Sequence, residues 1–262
     1  MRFSASKIKA FKSCRRLYEL KYIENLVPVE KPQALEIGSN YHKYVEYINS
    51  GGKIEGNPAF IYDCSKELAM AMAYEKYILP KFHVQEAEKW YEKDLGNGNV
   101  LVGIVDGISD DGYIVEHKTC SSEITEQYEY NLLWDEQILT YMYLTGMRKI
   151  WYTVCRKPTI RQMQKESDAD FFNRMLMWYD IDTEKKIRLL EIERCDGEVE
   201  QYEEELMMMV DEITHAKHFY RNTCQCNMYG RRCEYSSVCL YYNPEQEYID
   251  FKKGEEYESE KN

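Results

Sequence analysis

Long apolar runs are missing from this 262-residue chain. No stretch of about 18 consecutive apolar residues occurs, so we expect no membrane span. The amino-terminal segment MRFSASKIKAFKSC has no apolar signal core, and we therefore expect a cytoplasmic protein. Internal repeats and low-complexity linkers are absent as well. The length suits one large domain or two small ones.

An excess of positive charge is also lacking. The chain has 34 Lys and Arg against 46 Asp and Glu, which gives a net charge of -12. This balance argues against nonspecific coating of nucleic acid, although it is compatible with a local basic groove. Residues 243–262 hold seven acidic and three basic residues. We therefore expect a single domain over residues 1–242, followed by a solvated acidic tail.

Charged residues are present where the sequence is otherwise apolar, in VLVGIVDGISDDGYIVEHKT (residues 100–119). Charged groups are rarely buried in such surroundings unless they are paired or bind a metal. SDDG predicts a turn between two strands, with Gly112 in its left-handed position. Asp106 then faces Glu116 across the hairpin. Because side chains alternate along a strand, Lys118 lies on the same face as Glu116.

Two facing carboxylates repel each other unless a cation lies between them. Mg²⁺ suits this arrangement, because it is held by one or two carboxylates together with water and phosphate oxygens. Lys118 would then position a water molecule or stabilise charge that develops on a phosphate. The alternative is an ordinary edge hairpin with an Asp–Lys ion pair on a solvated face. The apolar residues on both sides favour a buried face.

Helices and strands are predicted on both sides of this hairpin, which indicates an α/β layer arrangement. We expect Tyr41, Val45 and Ile48 to share one face of a helix that follows Gly38. Helices are also predicted from Ser4 or Ser6 to Lys12, over CRRLYELKYI, over 63–79, over WDEQILTYMYLTGM up to Gly146, and over 200–220. Strands are predicted over 83–93, over 99–120 and over KIWYTVC, and 168–195 is predicted to be helical and then extended.

The order Asp…Glu-x-Lys on a hairpin resembles the PD-(D/E)xK nuclease superfamily. The resemblance is closest to its RecB-like exonuclease branch, which includes Cas4 and AddB-type nuclease domains. Four further segments resemble that branch in the same order between residues 3 and 239. They are the entry segment FSASKIKAFKSCRRLYELKY, the G-x-x-x-H helix in GSNYHKYVE, the Q-x-x-x-Y helix in DEQILTYMYL, and the last cysteines.

The resemblance implies a restriction-endonuclease-like core, with a central mixed sheet flanked by helices. It also implies a metal-dependent DNA exonuclease that hydrolyses phosphodiester bonds and uses Mg²⁺ or Mn²⁺. The implied metal ligands are His42, Asp106 and Glu116. The implied catalytic residues are His42, Asp106, Glu116, Lys118, Gln137 and Tyr141.

Three of these assignments leave alternatives open. A lone His42 on a helix is also compatible with a satisfied polar residue, and Tyr141 is compatible with simple core packing. Relatives often carry an acidic residue just before the hairpin. Glu86 and Glu88 both stand there, and the sequence does not choose between them.

Nine cysteines are many for an intracellular chain, where disulfides are disfavoured and clustered thiols indicate metal. Cys224, Cys226, Cys233 and Cys239 are compatible with a local zinc site. The resemblance instead implies a [4Fe–4S] cluster, because Cys14 stands where relatives place their first ligand. The implied iron–sulfur ligands are Cys14, Cys226, Cys233 and Cys239.

Several features limit the iron–sulfur assignment. CEYSSVC matches the closing C-x5-C of the family, but the spacing before it is longer than usual. Arg15 stands where relatives usually have Pro. Phage-type relatives align Cys226 with the ligand and leave Cys224 as an extra, and plain reduced thiols are a further alternative. The scattered Cys64, Cys120, Cys155 and Cys195 are interpreted as small hydrophobic residues.

The resemblance implies DNA with a free end as the partner, with a recombination or helicase protein as a possible second one. The runner-up function is a catalytically silent DNA-end-binding module stapled by Fe–S or zinc. Arginine suits bidentate phosphate contact, although solvated surface charge explains each basic residue equally well. Tyr and Trp suit stacking on unpaired bases, but the sequence does not select which ones. The candidate substrate-binding residues are Arg15, Arg16, Arg156, Lys157 and Arg161.

Overall fold

Helices and strands alternate along the chain in a computed structural model, which describes residues 1–30, 33–60, 62–228, 231–241 and 250–254. The α-helices are α1 (Ala5–Ser13), α2 (Arg15–Tyr18), α3 (Gln33–Asn49), α4 (Lys66–Tyr77), α5 (Glu126–Leu132), α6 (Glu136–Thr145), α7 (Asp168–Asp180), α8 (Asp196–His215) and α9 (Ser236–Tyr241). The strands are β1 (Arg2–Phe3), β2 (Leu26–Pro28), β3 (Val84–Gly96), β4 (Asn99–Ser109), β5 (Ile114–Cys120), β6 (Lys149–Arg156), β7 (Ile187–Glu193), β8 (Asn227–Met228), β9 (Arg231–Arg232) and β10 (Phe251–Lys253).

The chain divides into two compact units. Unit 1 comprises residues 1–32, 93–101 and 203–262, and unit 2 comprises residues 33–92 and 102–202. The expected single nuclease domain over 1–242 stays a prediction. Most of the expected acidic tail (243–262) lies outside the described residues. Only residues 250–254 of the tail are described. No helix in the described ranges is long and apolar enough to cross a membrane.

A mixed sheet forms the centre of unit 2. Strands β4 and β5 are antiparallel, β5 and β6 are parallel, β6 and β7 are antiparallel, and β3 pairs with β4. Helices α3 and α4 pack against this sheet, and α7 packs against α4. The predicted α/β class, with a central mixed sheet flanked by helices, is confirmed.

The β4–β5 hairpin has the predicted register. Gly107 pairs with Val115, so the next pair along the same ladder is Asp106 and Glu116. The turn takes its predicted form, because Gly112 has a φ of 80°, a conformation that costs glycine little. Local turn chemistry therefore sets which residues of the two strands stand opposite each other.

The core of unit 2 lies between α3, α4, α7 and the sheet. Tyr41, Val45 and Ile48 are all buried, which confirms the predicted helical face. Tyr74 of α4 and Tyr179 of α7 belong to the same apolar cluster. The helix does not begin after Gly38 as predicted, because α3 already includes Gln33 and runs through the glycine.

Two predicted helices have different bounds because side chains cap them elsewhere. The helix predicted over 63–79 is α4, which begins after Ser65, whose hydroxyl accepts a hydrogen bond from the Leu68 N–H at 3.1 Å. The helix predicted over 200–220 is α8. It begins four residues earlier, where the Glu198 carboxylate accepts a hydrogen bond from the Cys195 N–H at 3.0 Å.

Unit 1 has its own small core. Leu20, Leu26, Tyr235, Val238 and Phe251 are buried together, and the Tyr235 and Phe251 rings stack with centroids 5.0 Å apart. Helix α1 begins at the predicted cap, because the Ser4 hydroxyl accepts a hydrogen bond from a backbone N–H in its first turn. Strand β2 pairs antiparallel with β10, and β1 pairs parallel with the start of β4.

Close packing at Gly107 fixes the sheet beside Asp106. A Cβ at Gly107 would lie 2.8 Å from Val84 Cγ1 and 3.0 Å from the Glu86 backbone oxygen. We predict that Gly107→Ala lowers the free energy of unfolding by about 1–3 kcal/mol, because a backbone atom of β3 must move. Urea denaturation followed by circular dichroism measures the change.

Gly103→Ala is the matched control on the same strand. Its Cβ would lie 2.8 Å from Leu144 Cδ1, the far end of a flexible side chain that can rotate away. We expect a smaller loss of unfolding free energy. Equal or greater destabilisation by Gly103→Ala would contradict this account of the β3–β4 packing.

Candidate active site

The predicted carboxylates lie on adjacent strands of unit 2. Asp106 Oδ2 accepts a hydrogen bond from the His117 backbone N–H at 2.7 Å, which locks this part of β4 to β5. Glu116 is only 3 % exposed. Its Oε1 pairs with Lys118 Nζ, whereas its Oε2 is buried without a hydrogen-bond partner. The burial of Glu116 contradicts the alternative of a solvated edge hairpin.

Helix α3 brings a histidine to the same place. His42 Nδ1 lies 3.6 Å from Asp106 Oδ1, a distance longer than that of a hydrogen bond. The helix comes close to β5, because a Cβ at Gly38 would lie 3.5 Å from Thr119 Oγ1. The predicted G-x-x-x-H segment therefore lies beside the hairpin, with the imidazole directed at the carboxylate.

Helix α6 supplies the remaining predicted side chains. Lys118 Nζ donates to Gln137 Oε1 at 2.9 Å, and Gln137 Nε2 donates to the Tyr141 hydroxyl at 2.7 Å. The Asp135 carboxylate caps this helix by accepting a hydrogen bond from the Gln137 N–H at 3.0 Å. Tyr141 is also buried, so it packs and hydrogen-bonds at once. The structure thus brings all six predicted catalytic residues together.

The carboxylates respond differently to their surroundings. Burial and the nearby Asp106 raise the pKa of Glu116 well above its usual value. Burial also opposes ionisation of Asp106, but the adjacent His42 and the His117 backbone N–H lower its pKa below the usual range. Lys118 is half-buried, yet its pKa is raised because the attraction of Glu116 outweighs the effect of burial. Asp106 is therefore the carboxyl group that ionises more readily, whereas Glu116 favours its protonated form.

A divalent ion fits this donor set. Within the described residues, no group of three or more His, Cys, Asp or Glu side chains is arranged to hold a metal ion. Lys118 and the His117 N–H instead occupy one oxygen each of Glu116 and Asp106. The unpartnered Glu116 Oε2 is a hard, buried acceptor of the kind that Mg²⁺ and Mn²⁺ bind. Metal would relieve the cost of leaving that oxygen unsatisfied.

The structure distinguishes the two acidic residues that the sequence left open. Glu88 interacts electrostatically with Asp106 and with Glu46 of α3, and burial and these like charges raise its pKa. Glu88 also has a φ of 45°, a rare conformation for a non-glycine residue that often occurs at functional sites. Glu86 instead pairs with Lys89 at 2.8 Å. Glu88 is therefore the acidic neighbour of the site.

Sequence reasoning missed His117. His117 is buried beneath the site, where its Nδ1 lies 2.6 Å from Thr153 Oγ1 and its Nε2 lies 3.2 Å from Asn49 Nδ2. Burial lowers the pKa of His117 to about 4, so its ring is neutral. Strand alternation directs it away from Glu116, and no motif marked it.

The cysteines assigned to the iron–sulfur site line one pocket of about 310 Å³ in unit 1. Cys14 Sγ accepts a hydrogen bond from the Asn222 N–H at 3.3 Å. Burial raises the pKa of the Cys233 and Cys239 thiols. The thiols that line the pocket are those of Cys14, Cys226, Cys233 and Cys239.

Cys224 is exposed and is not part of the pocket lining. In the part of the chain that the structure describes, neither the iron–sulfur set nor the local zinc set forms a group of three or more thiols arranged to hold a metal. The cysteines interpreted as small hydrophobic residues differ in burial. Cys155 is buried as expected, whereas Cys195 is exposed, so a hydrophobic role does not describe it.

The basic residues predicted to contact substrate lie in both units, with Arg15 and Arg16 in unit 1 and Arg156, Lys157 and Arg161 in unit 2. All three arginines at 15, 16 and 156 already have acidic partners. Phosphate contact by the five basic residues stays a prediction. For the three arginines, it competes with the ion pairs that they already make. The pairs are Arg15–Glu212, Arg16–Glu19, Arg16–Glu24 and Arg156–Glu123.

Comparison with known proteins gives a family match over most of the chain. The family model of the PD-(D/E)XK nuclease superfamily matches residues 2–240. A search of curated proteins found no match. Among solved structures, the fold is similar to that of a Eubacterium rectale protein assigned as an exonuclease. The identity is 14%, the TM-score is 0.51, and the alignment covers 91% of this chain and 92% of that one.

Two further structures are similar at lower TM-scores. A phage-related exonuclease from Haemophilus somnus 129PT has 15% identity and a TM-score of 0.38, over 66% of this chain and 78% of that one. An alkaline exonuclease from Laribacter hongkongensis has 14% identity and a TM-score of 0.36, over 81% and 88%. At such identities the Eubacterium rectale structure supports the fold alone, and these two carry no further argument.

The different environments of Glu88 and Glu86 generate a test. We predict that Glu88→Gln weakens Mn²⁺ binding about tenfold or more, because the site loses a nearby negative charge. Glu86→Gln is the control, since both residues are exposed but Glu86 pairs with Lys89. Titration followed by the electron paramagnetic resonance of free Mn²⁺ measures both affinities. Equal affinities in the two variants would remove Glu88 from the site.

Proposed function

This chain belongs to the PD-(D/E)XK nuclease superfamily, and we propose that it is a metal-dependent DNA exonuclease that hydrolyses phosphodiester bonds. Members of the superfamily generally use Mg²⁺ or Mn²⁺. The observation that carries the proposal is the convergence of Asp106, Glu116 and Lys118 with His42, with one buried Glu116 oxygen left unpartnered. Such a constellation suits a cation and the charged phosphate that the reaction must stabilise.

The roles of the side chains follow from their contacts. Asp106, Glu116 and His42 would hold the ion, which when bound supplies a Lewis acid for the phosphate and for the attacking water. Lys118 donates hydrogen bonds, so its amine would orient the water or stabilise charge on the phosphate. Gln137 holds the Lys118 amine in place, because its carbonyl oxygen accepts from Nζ.

Tyr141 acts through Gln137 rather than on the substrate. The Gln137 amide donates to the Tyr141 hydroxyl, and this fixes the direction of its carbonyl oxygen toward Lys118. Tyr141 is therefore a positioning residue in this proposal. The positions of Gln137 and Tyr141, four residues apart, put both side chains on one face of α6.

The finer assignment is to the RecB-like and Cas4-like branch, with a [4Fe–4S] cluster in unit 1. Its support is the resemblance of the sequence segments, together with the pocket lined by Cys14, Cys226, Cys233 and Cys239. Between Cys14 and Cys226 lie 211 residues. A cluster held by both ends would close a long loop, so its assembly would be coupled to folding. A recombination or helicase partner remains a prediction of the resemblance.

The proposed activity is tested by digestion of oligonucleotides labelled at the 5′ or the 3′ end, single-stranded and double-stranded. We expect stepwise shortening with Mn²⁺ or Mg²⁺ and none with EDTA. Cleavage that persists in EDTA would contradict the proposed chemistry. DNA binding without cleavage in either metal would instead support the catalytically silent end-binding module.

The intact Asp, Glu and Lys set generates the first functional prediction. Lys118→Ala and Asp106→Ala should each abolish Mn²⁺-dependent cleavage while the fold is kept. Asp106→Ala removes a metal ligand, and Lys118→Ala removes the positive charge that acts on the water or the phosphate. We expect a fall in kcat of about 10² or more. The control is Lys76→Ala, because Lys76 is exposed and pairs with Asp180. Near-normal turnover in either folded site variant would refute the assignment.

The cysteine pocket generates the second. Protein purified without oxygen should be brown and contain iron and sulfide, and Cys14→Ser should lose both and unfold more readily. Cys224→Ser is the matched control, because Cys224 is exposed outside the pocket. We expect it to keep its iron and its stability. Equal iron content in the Cys14 variant and the parent would rule out Cys14 as a ligand.

A further inference from the structure

An exposed apolar surface lies at the turn between α5 and α6 in unit 2. It consists of Tyr130, Leu133 and Trp134, whose exposed fractions are 55%, 49% and 73%. Single exposed apolar residues are ordinary, but three within five residues form a patch that indicates an interaction site. We call these three residues the apolar turn surface.

Trp134 differs from the tryptophans whose contacts are known. The Trp151 ring stacks on Tyr113 with centroids 5.0 Å apart, and its indole N–H donates to Asp111 at 3.0 Å. Trp178 lies under the Lys186 amine at 4.5 Å. Trp134 is 73% exposed, against 41% for Trp90, and Trp151 and Trp178 are partly buried.

Hydrogen bonds hold the backbone of the turn that presents this surface. Leu132 is buried, and its carbonyl oxygen accepts hydrogen bonds from the Asp135 N–H at 3.2 Å and from Arg194 Nη2 at 3.1 Å. The Trp134 N–H donates to the Asn131 carbonyl oxygen at 3.2 Å. The backbone is therefore ordered before any ligand arrives, so less ordering entropy opposes binding.

The apolar turn surface lies next to two residues of the candidate active site in the chain. Trp134 directly precedes Asp135, which caps α6 and attracts the Lys118 ammonium. Gln137, three residues after Trp134, accepts the hydrogen bond from Lys118. A strand whose phosphate reaches Lys118 therefore has its neighbouring nucleotides within reach of this turn.

Charge indicates which part of a nucleotide would bind there. Residues 126–137 contain four acidic residues and no Lys or Arg. Arg188, which approaches this segment, is paired with Glu129. A surface of this composition repels phosphates but accepts the flat, uncharged faces of bases, on which aromatic side chains stack.

We propose that the apolar turn surface binds unpaired nucleobases of the DNA strand that is cut, with Trp134 as the principal stacking residue. The inference rests on the proposed function, because DNA is the substrate there. It adds that the enzyme acts on single-stranded DNA or on strands that are unpaired near the site. Base stacking on one aromatic residue changes affinity by about 5- to 150-fold, and an exposed residue such as Trp134 is expected near the lower end of that range.

The test measures binding in a Lys118→Ala background, in which DNA stays intact. The probes are a fluorescein-labelled single-stranded oligonucleotide, the same oligonucleotide with abasic sites at its end, and a blunt duplex. We expect Trp134→Ala to weaken binding of the normal single strand about tenfold and Trp134→Phe to weaken it less. Neither should change binding of the abasic strand. Tyr62→Ala is the control, because Tyr62 is 95% exposed elsewhere in unit 2.

Salt dependence separates stacking from phosphate contact. The slope of log affinity against log salt should be the same with and without Trp134, because no phosphate contact is lost. Equal binding of the normal strand by Trp134→Ala and its parent would overturn the inference. So would a matching loss on abasic DNA or on the blunt duplex.

These outcomes are independent of the test of the proposed function. Metal-dependent cleavage with no role for Trp134 would leave the nuclease assignment in place and remove the stacking surface. Base-dependent binding through Trp134 in a parent protein that cleaves no DNA would do the reverse.

Discussion

The opposition of Asp106 and Glu116 across the β4–β5 hairpin is the constraint on which the site depends. The hydrogen-bond register between β4 and β5 sets this pair opposite each other. A shift of the register by one residue would turn every side chain of the strand to the other face of the sheet. Like charges at this separation repel, and the repulsion is stronger where Glu116 is buried. Lys118 pairs with Glu116, and His42 Nδ1 lies 3.6 Å from Asp106 Oδ1, so both side chains border this pair.

Three elements of unit 2 converge on this pair. Helix α3 provides His42, and Gln137 of helix α6 accepts a hydrogen bond from Lys118. On the opposite face of β5, the neutral His117 ring contacts the Thr153 hydroxyl of β6. The Lys118–Glu116 contact satisfies one oxygen of Glu116 and leaves the other without a partner. A bound cation would stabilise this arrangement by giving that oxygen a partner. Metal binding and the geometry of the sheet are therefore linked.

Local chemistry explains what could be predicted from the sequence. The hairpin register follows from the Gly112 turn and the two-residue period of strands, and both operate over a few residues. His42, Gln137 and Tyr141 are far from the hairpin in sequence. Only the family resemblance connected them to it, because no local pattern encodes a contact between separate elements.

The remaining features depend on tertiary structure. The choice of Glu88 over Glu86 follows from the interaction of Glu88 with Asp106 and the pairing of Glu86 with Lys89, which neither composition nor periodicity reveals. The helix predicted over 200–220 begins earlier because the Glu198 side chain caps it. At a helix end, the capping hydrogen bond decides the first residue, and the spacing of apolar residues does not. The arginines at 15, 16 and 156 are candidates for phosphate contact in the sequence, and the fold gives each an acidic partner that the sequence does not reveal.

The central claim is that Asp106 and Glu116 hold a divalent ion, with Lys118 as its neighbour. A crystal structure of the protein soaked in Mn²⁺, with data collected at a wavelength where manganese scatters anomalously, tests it most directly. The account predicts an anomalous peak in contact with both carboxylates, together with movement of Lys118 Nζ away from Glu116. The absence of a peak there, with the Lys118–Glu116 pair unchanged at Mn²⁺ concentrations that support cleavage, would contradict it.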